Sequence, residues 1–395
     1  MKSRTSESDD ALGPLPAPKD FSLVLGGPLF QLLCRARLSD DGLLLVRRRI
    51  VIISLLAWLP LLVLSALEGH ALGGSESVDF LRDLEVHIRF LVVMPLLIAA
   101  EIVVHQRMRT VVTLFLARGL IPQSAMARFG AAIASAFRLR NSVLAEVLMI
   151  ALVYGVGILI IWRQYLVLDT ATWYATPSAG HTELSLAGMW YAYVSMPLFQ
   201  FLLLRWYFRI LIWSRFLWQV SRIDLSLVPT HPDRFGGLGF LSNISYAFAP
   251  LAVAHGGLLA GLLANRIFFL GTGLADYKTE IAVVVVFMLC VFICPLLVFS
   301  TQLAQARRAG ILEYGTQTAL YLRQGDAASP GGGADDPSLA SAGANYDAVQ
   351  AIRIMPVTRE AVVQLILATV APILPLALTM MPLADLVKTL LGVIF

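Results

Sequence analysis

The sequence predicts an all-α fold: a polytopic transmembrane helical bundle of about seven spans, with interfacial amphipathic helices. Three observations predict it. The 395 residues are 58% hydrophobic and 14% charged, with a mean hydropathy of +0.75, whereas soluble domains average about 25% charged residues. Apolar runs of about 20 residues, the length needed to cross a bilayer, recur along the chain. The basic residues gather on one side of those runs, as the positive-inside rule requires of a membrane protein.

Residues 1–20 are rich in Ser, Asp and Pro and read as a disordered tail. Residues 21–49 are expected at the cytoplasmic interface. Phe21, Leu23, Leu25, Leu29, Phe30, Leu32 and Leu33 precede Arg35 and Arg37, which fits a short helix lying on the inner leaflet or one packed against the bundle. Arg47, Arg48 and Arg49 then stand before span one, 50–67, and set the N-terminus inside. No cleavable leader is expected; span one serves as the targeting signal.

Span two is expected over 84–104, with a kink at Pro95. Residues 106–140 carry Arg107, Arg109, Arg118, Arg128, Arg138 and Arg140 and no acid. Their helical periodicity predicts one or two amphipathic helices on the inner leaflet, divided near Pro122. Span three follows at 142–162. The next loop, to residue 184, is expected outside, with Trp162, Tyr165, Trp173 and Tyr174 forming an aromatic belt. Span four begins near Ser185 and continues without a break through Arg205, Arg209 and Arg215 to Trp218. These four spans make a first membrane unit, 50–222.

Residues 223–245 form a polar, glycine-rich island placed on the cytoplasmic side. Spans five (246–270) and six (281–301) compose a second unit, 246–301. Residues 302–360 continue span six as a helix to about Arg323, followed by a linker over 325–345 of Ala, Gly, Ser and Asp. Residues 361–395 hold span seven, 361–380, with Pro372 and Pro375 inside it, and a terminal amphipathic helix from Pro382. A re-entrant hairpin is the alternative for that last run. With this map the outer loops hold only Arg82, Arg163 and Lys278 of the 30 Lys and Arg residues.

Ionisable groups inside spans are the first functional candidates, because each costs roughly 2.5–3.5 kcal/mol at mid-bilayer. Glu101 precedes His105 by one turn at the inner end of span two. Glu146 lies about 9 Å along the helix from Arg140 at the inner end of span three. Arg205 and Arg209 sit one turn apart at the inner end of span four. Two carboxylates and two guanidiniums therefore share one depth, either as a structural clamp or as a cytoplasmic vestibule for an ion. His255 lies about nine residues into span five, beside Gly256 and Gly257 in a small-residue stripe. It is either a histidine hydrogen-bonded across a close helix contact or a gate. In the island, His231, Asp233, Arg234, Gly236 and Gly237 are loop candidates. Pro229 and Pro232 favour extended backbone before them and the glycines permit tight turns, so the island is a structural re-entry loop or a ligand-binding one.

Other classes lack support in the sequence. There is no HExxH, GxSxG or Walker motif, so an enzyme is not expected. The three cysteines, Cys34, Cys290 and Cys294, have no metal-ligand spacing, and no metal or cofactor is expected. The arginines flank apolar runs, so nucleic acid is not expected as a partner.

Three motifs carry a resemblance. His231-Pro-Asp-Arg-x-Gly-Gly-Leu-Gly-Phe240, Arg308-x-Gly310-x-x-x-Tyr314-Gly315 and the Pro-Leu-x-x-Leu-x-x-x-Leu-Leu ending from Pro382 are similar to those of an uncharacterised family of bacterial multi-pass membrane proteins. The resemblance covers most of the chain from about Arg215 onward. It implies a bacterial inner-membrane location with a cytoplasmic N-terminus and brings no activity. Asp335 and Ser338-Leu-Ala340 are similar to a further family motif, which implies order within part of the linker; Ser341 stands where that family tends to carry an acid. The expected function is an oligomeric channel or transporter for an ion or small solute, with the bilayer and further copies of the chain as partners. A membrane scaffold or signalling protein acting through its cytoplasmic helices is the alternative.

Overall fold

The computed structural model describes residues 21–35, 45–72, 78–165, 172–178, 181–328 and 337–380. The tail at 1–20, the sequence around Asp335 and the terminal helix expected from Pro382 lie outside these residues. Among the described residues, six helices are long and apolar enough to cross a membrane, or up to seven if a pair bent by 45° counts as one span. The chain is a multi-pass, membrane-embedded helical protein.

After a buried stretch at Phe21–Val24, helix α1 covers Pro28–Arg35. Helix α2 is Val46–Leu67 and helix α3 runs Leu84–Ala117. The bent pair is α4, Met126–Arg140, and α5, Val143–Tyr165. Helix α6 spans Leu186–Val220. Helix α7 is Ile244–Leu270, α8 Lys278–Ile293 and α9 Ser300–Ala328. Helices α10, Pro337–Gln350, and α11, Arg359–Val370, complete the set.

The prolines explain the local departures from a plain α-helix. A proline lacks the N–H and its ring crowds the carbonyl four residues earlier. In α3 a π-helical turn over Ile88–Val93 comes just before Pro95. In α6 the same device, Tyr191–Ser195, comes just before Pro197. The kink expected at Pro95 is thus a widened turn within one continuous helix. Pro295 and Pro372 fall instead in 3-10 turns, Cys294–Phe299 and Ala371–Ile373. Helix α3 also runs 13 residues beyond the expected end of span two at 104, carrying Arg107 and Arg109 with it.

Helix α7 is the central post. Two-thirds of its apolar window is buried, against 17% for the unit containing α8 and α9. Its glycines set the approach of its neighbours. A Cβ at Gly257 would meet Val93, and one at Gly261 would meet Glu85 and Ile88, all on α3. A Cβ at Gly256 would overlap the Thr369 carbonyl of α11 and lie 3.2 Å from Pro372. The small-residue stripe is therefore a contact on two sides, with α3 and with α11.

Three expectations need correction. Trp173 is fully buried and donates from Nε1 to Asp83 Oδ2 at 3.0 Å. Its ring meets Phe80, Tyr174 and Tyr191 edge-on, so Trp173 and Tyr174 belong to a packed aromatic cluster and not to a lipid-facing belt. The loop expected around them contains an antiparallel pair of strands, β1 Ala175–Ser178 and β2 His181–Leu184, with Ala175 opposite Leu184. The linker expected over 325–345 is helical from Pro337, because α10 packs along α9: Gly315 of α9 lies against the Tyr346 ring, and Gly310 against Val349.

The opposite end from the arginines is tied by two carboxylates, Asp83 and Glu68. Asp83 accepts from Trp173, from Asn265 Nδ2 at 2.8 Å and from Val86 N, while Leu84 N donates to Asn265 Oδ1. Glu68 accepts from the amides of Leu186 and Ala187 at the start of α6, where a helix end favours an anion.

Gly256→Ala tests the close packing. It is expected to lower stability in detergent by about 1–3 kcal/mol, as overpacking does, read as a fall in the thermal midpoint. Gly155→Ala, on α5 with nothing within 4 Å, is expected to leave the midpoint unchanged; equal effects would contradict the contact.

Candidate functional site

The charges predicted at one depth do meet, and a fifth joins them. Glu101 is buried on α3, 5% exposed. Its Oε1 lies 2.9 Å from Arg209 Nη2 of α6, and its Oε2 pairs with the Nη2 of Arg49 from α2. Glu146 of α5 faces Arg205 of α6, Oε1 to Nη2, at 3.9 Å. Four helices therefore converge on five buried charges: Arg49, Glu101, Glu146, Arg205 and Arg209.

Local sequence explains how each side chain arrives. Arg205 and Arg209 are one turn apart, so they share a face of α6. Trp206 fixes that helix against α3 by donating from Nε1 to the Leu97 carbonyl at 2.9 Å, and the Arg209 guanidinium lies 4.8 Å from its ring. The sequence groups Arg49 with Arg47 and Arg48 as a topological signal. Those two are exposed, whereas Arg49 is 3% exposed. The signal that separates them is register: Val46, Arg49, Ala57, Leu61 and Ser65 fall on the buried face of α2.

His105 is one turn from Glu101 but does not join the cluster. Its Nδ1 lies 2.8 Å from Ser22 Oγ. Ser22 belongs to the N-terminal stretch, whose Phe21 ring packs against Phe137, Trp213 and Phe216. Arg140 donates to the Ser22 carbonyl at 2.6 Å with its guanidinium over Phe137. Of the two readings for this segment, the packing one holds for Phe21–Val24. The stretch covers the basic end of α3, α4 and α6, beside the five charges: a Cβ on Gly27 would come within 3.3 Å of Glu146.

His255 also sits apart. Its Nδ1 is 2.7 Å from the Leu251 carbonyl and its Nε2 is 2.6 Å from the Tyr207 hydroxyl. A neutral ring with the proton on Nδ1 satisfies both bonds: Nδ1 donates to Leu251, and Tyr207 donates to Nε2. Tyr207 is two residues from both Arg205 and Arg209, hence on another face of α6. The sequence left two readings for His255, a hydrogen bond across a close helix contact or a gate; the structure shows such a hydrogen bond, with α6 as the partner helix.

The island is folded around Asp233. Its Oδ1 accepts from Phe235 N at 2.8 Å and Gly237 N at 3.1 Å, and its Oδ2 accepts from Gly239 N at 2.9 Å. Arg118 donates to the Gly237 carbonyl at 2.7 Å and approaches Asp233 Oδ2 at 3.3 Å. His231 Nδ1 stands 2.9 Å from Asp233 Oδ1. Arg234, Gly236 and Gly237 all take positive φ; at Gly237, φ 98 is a value that suits glycine. The Arg234 carbonyl accepts from Arg353 N. Gly310 meets Pro229 as well as Val349, so α9 packs on the start of the island. The loop candidates thus build a turn folded on the Asp233 carboxylate, which is bound by its own backbone. Among the described residues, no group of three or more His, Cys, Asp or Glu is placed to hold a metal.

No family model, no curated protein and no solved structure matches this chain.

Burial alone would push the Asp233 carboxyl up, but the three backbone N–H donors and His231 outweigh it and hold it below the ordinary carboxylate range. A carboxyl depressed on folding stabilises in full above its unfolded value near ~3.9 and loses that contribution as pH falls through the folded value. The amides of Phe235, Gly237 and Gly239 are therefore expected to lose hydrogen-exchange protection only well below pH ~4. Asp233→Ala should expose them already at neutral pH. Protection unchanged in that variant would remove Asp233 from its structural role.

Proposed function

We propose that the protein passes an ion or small solute across a bacterial inner membrane, with the basic end facing the cytosol and the five-charge cluster as its ionic site. The observation that carries this reading is the cluster itself. Three guanidiniums and two carboxylates are buried among helices that otherwise present apolar surface to lipid, where each charge carries an insertion penalty. Among the described residues three guanidiniums face two carboxylates, and a bundle held only by ion pairs has no need of a surplus arginine. Orientation follows from Arg107, Arg109, Arg118 and Arg128 at the same end of the molecule.

A second reading is favoured by one surface. Helix α9 leaves the bundle with Leu312 74% and Leu320 52% exposed, separated by the small residues Gly315, Thr316 and Ala319. This is the form of a helix that docks a partner, and it supports a scaffold or signalling role.

Reconstitution into liposomes separates the two. Under the first reading wild-type protein carries flux of an ion or small solute, and Glu146→Gln and Arg209→Gln each change its rate several-fold. Under the second, those variants have no effect, whereas Leu312→Glu abolishes capture of a cross-linked partner. Absence of flux under imposed gradients of monovalent cations, anions and small neutral solutes would sink the transport reading.

A further inference from the structure

The geometry points to a binding site for one anionic phospholipid, with an acyl chain in the groove between α5 and α6 and the phosphate on Arg138 and Arg215 at the basic end of that groove. This site stands apart from the ionic cluster and holds whether or not the protein transports anything.

Two hollows of about 330 Å³ and about 220 Å³ open along the seam of α5 and α6. They share Leu152, Leu204 and Tyr207, so they form one groove. It runs from Ala145 to Gly157 on α5 and from Leu211 back to Gln200 on α6. At the helical rise this is about 17 Å, roughly half of a ~30 Å hydrocarbon core. That is the reach of an acyl chain within one leaflet. The lining is aliphatic and aromatic until Gln200 ends it, and Leu148, Leu152 and Leu211 are exposed on the side of the bilayer.

The basic end supplies the charge. Arg215 follows Leu211 by one turn, on the groove face of α6. Its Nη2 lies 3.5 Å from Ser135 Oγ of α4, and Arg138 stands one turn beyond Ser135 on that face of α4. Both arginines are exposed, and among the described residues neither pairs with a carboxylate. Trp218 continues the same face of α6, exposed, with the Arg222 guanidinium 5.2 Å from its ring. An exposed tryptophan beside arginine marks headgroup level. A purely topological arginine needs no groove beneath it; here an unpaired pair of guanidiniums stands at the mouth of one. Guanidinium groups bind phosphate through paired hydrogen bonds. A second copy of the chain fits this face poorly, because an isologous contact would gather the same arginines from both copies.

The test titrates purified full-length protein in neutral detergent with phosphatidylglycerol or phosphatidylcholine and counts bound lipid by native mass spectrometry. One phosphatidylglycerol per chain is expected, held about tenfold more tightly than phosphatidylcholine. Arg138→Gln and Arg215→Gln should each weaken it about fivefold, the worth of one arginine at an anionic membrane surface. Leu152→Trp, which fills the groove, should weaken both lipids, whereas Val286→Trp, on the exposed face of α8, should weaken neither. Should a variant fail to fold, the wild-type thermal midpoint decides: a ligand of the folded state raises it, so phosphatidylglycerol should raise it above phosphatidylcholine at equal concentration. Equal binding of the two lipids with equal midpoints overturns the site. Equal effects of Leu152→Trp and Val286→Trp also overturn it, since the bound lipid is then a general annulus. Glycerol phosphate competing as well as the intact lipid would remove the chain from the groove and refute the proposal. So would loss of an oligomer in Leu152→Trp with lipid binding unchanged, which would make the groove a seam between copies.

Discussion

A charge placed in hydrocarbon must find its counter-charge within the protein, and this constraint organises the bundle. Glu101 meets it with guanidiniums from two other helices, Arg49 of α2 and Arg209 of α6. Arg205 and Glu146 extend the same cross-link to α5. Lipid tails are as apolar as the helix faces they would replace, so no hydrophobic force specifies which spans are neighbours. Removing one partner of a buried pair costs about 3–5 kcal/mol, a large share of a typical folding free energy of about 5–15 kcal/mol. The ion cluster is therefore what makes α2, α3, α5 and α6 one unit in one register.

The other half of the molecule is specified by shape. Glycines 256, 257 and 261 let α7 approach α11 on one side and α3 on the other. The π-helical turn before Pro95 contributes Val93 and Ile88 to that contact, so the proline and the small-residue stripe belong to one interface. At the basic end, the island locks around Asp233 and receives Gly310 and Arg353 from the chain that follows. At the opposite end, Asp83 gathers α3, α7 and the Trp173 loop. Each end thus uses carboxylates to order backbone amides, while the interior uses two to join helices.

Hydropathy and arginine placement made the all-α membrane class and the positions of the seven apolar runs legible, because both follow from the bilayer as solvent. The convergence of Glu101, Glu146, Arg205 and Arg209 was legible too, since helical rise converts sequence position into depth. Depth says nothing about azimuth, and that is where reading failed. Arg49 looked like part of a basic stop, and only its register with Ala57 and Leu61 marks it as inward-facing. His105 shares the depth of Glu101 but faces Ser22. Tyr207 carries no signal as the partner of His255, because a tyrosine among aromatics reads as packing. The burial of Trp173 was missed because its partner, Asp83, is 90 residues away.

Among the described residues the cluster is a net-positive ionic bolt between helices, and reversible unfolding in mixed detergent micelles tests this directly. Glu101→Gln leaves three guanidiniums against one carboxylate, whereas Arg49→Gln leaves two against two. Glu101→Gln is therefore expected to lose about 3–5 kcal/mol, Arg49→Gln distinctly less, and the double variant to recover part of what Glu101→Gln loses. If Glu101→Gln is no more harmful than Glu313→Gln at the exposed surface of α9, or if the two losses simply add, the cluster does not hold the helices together.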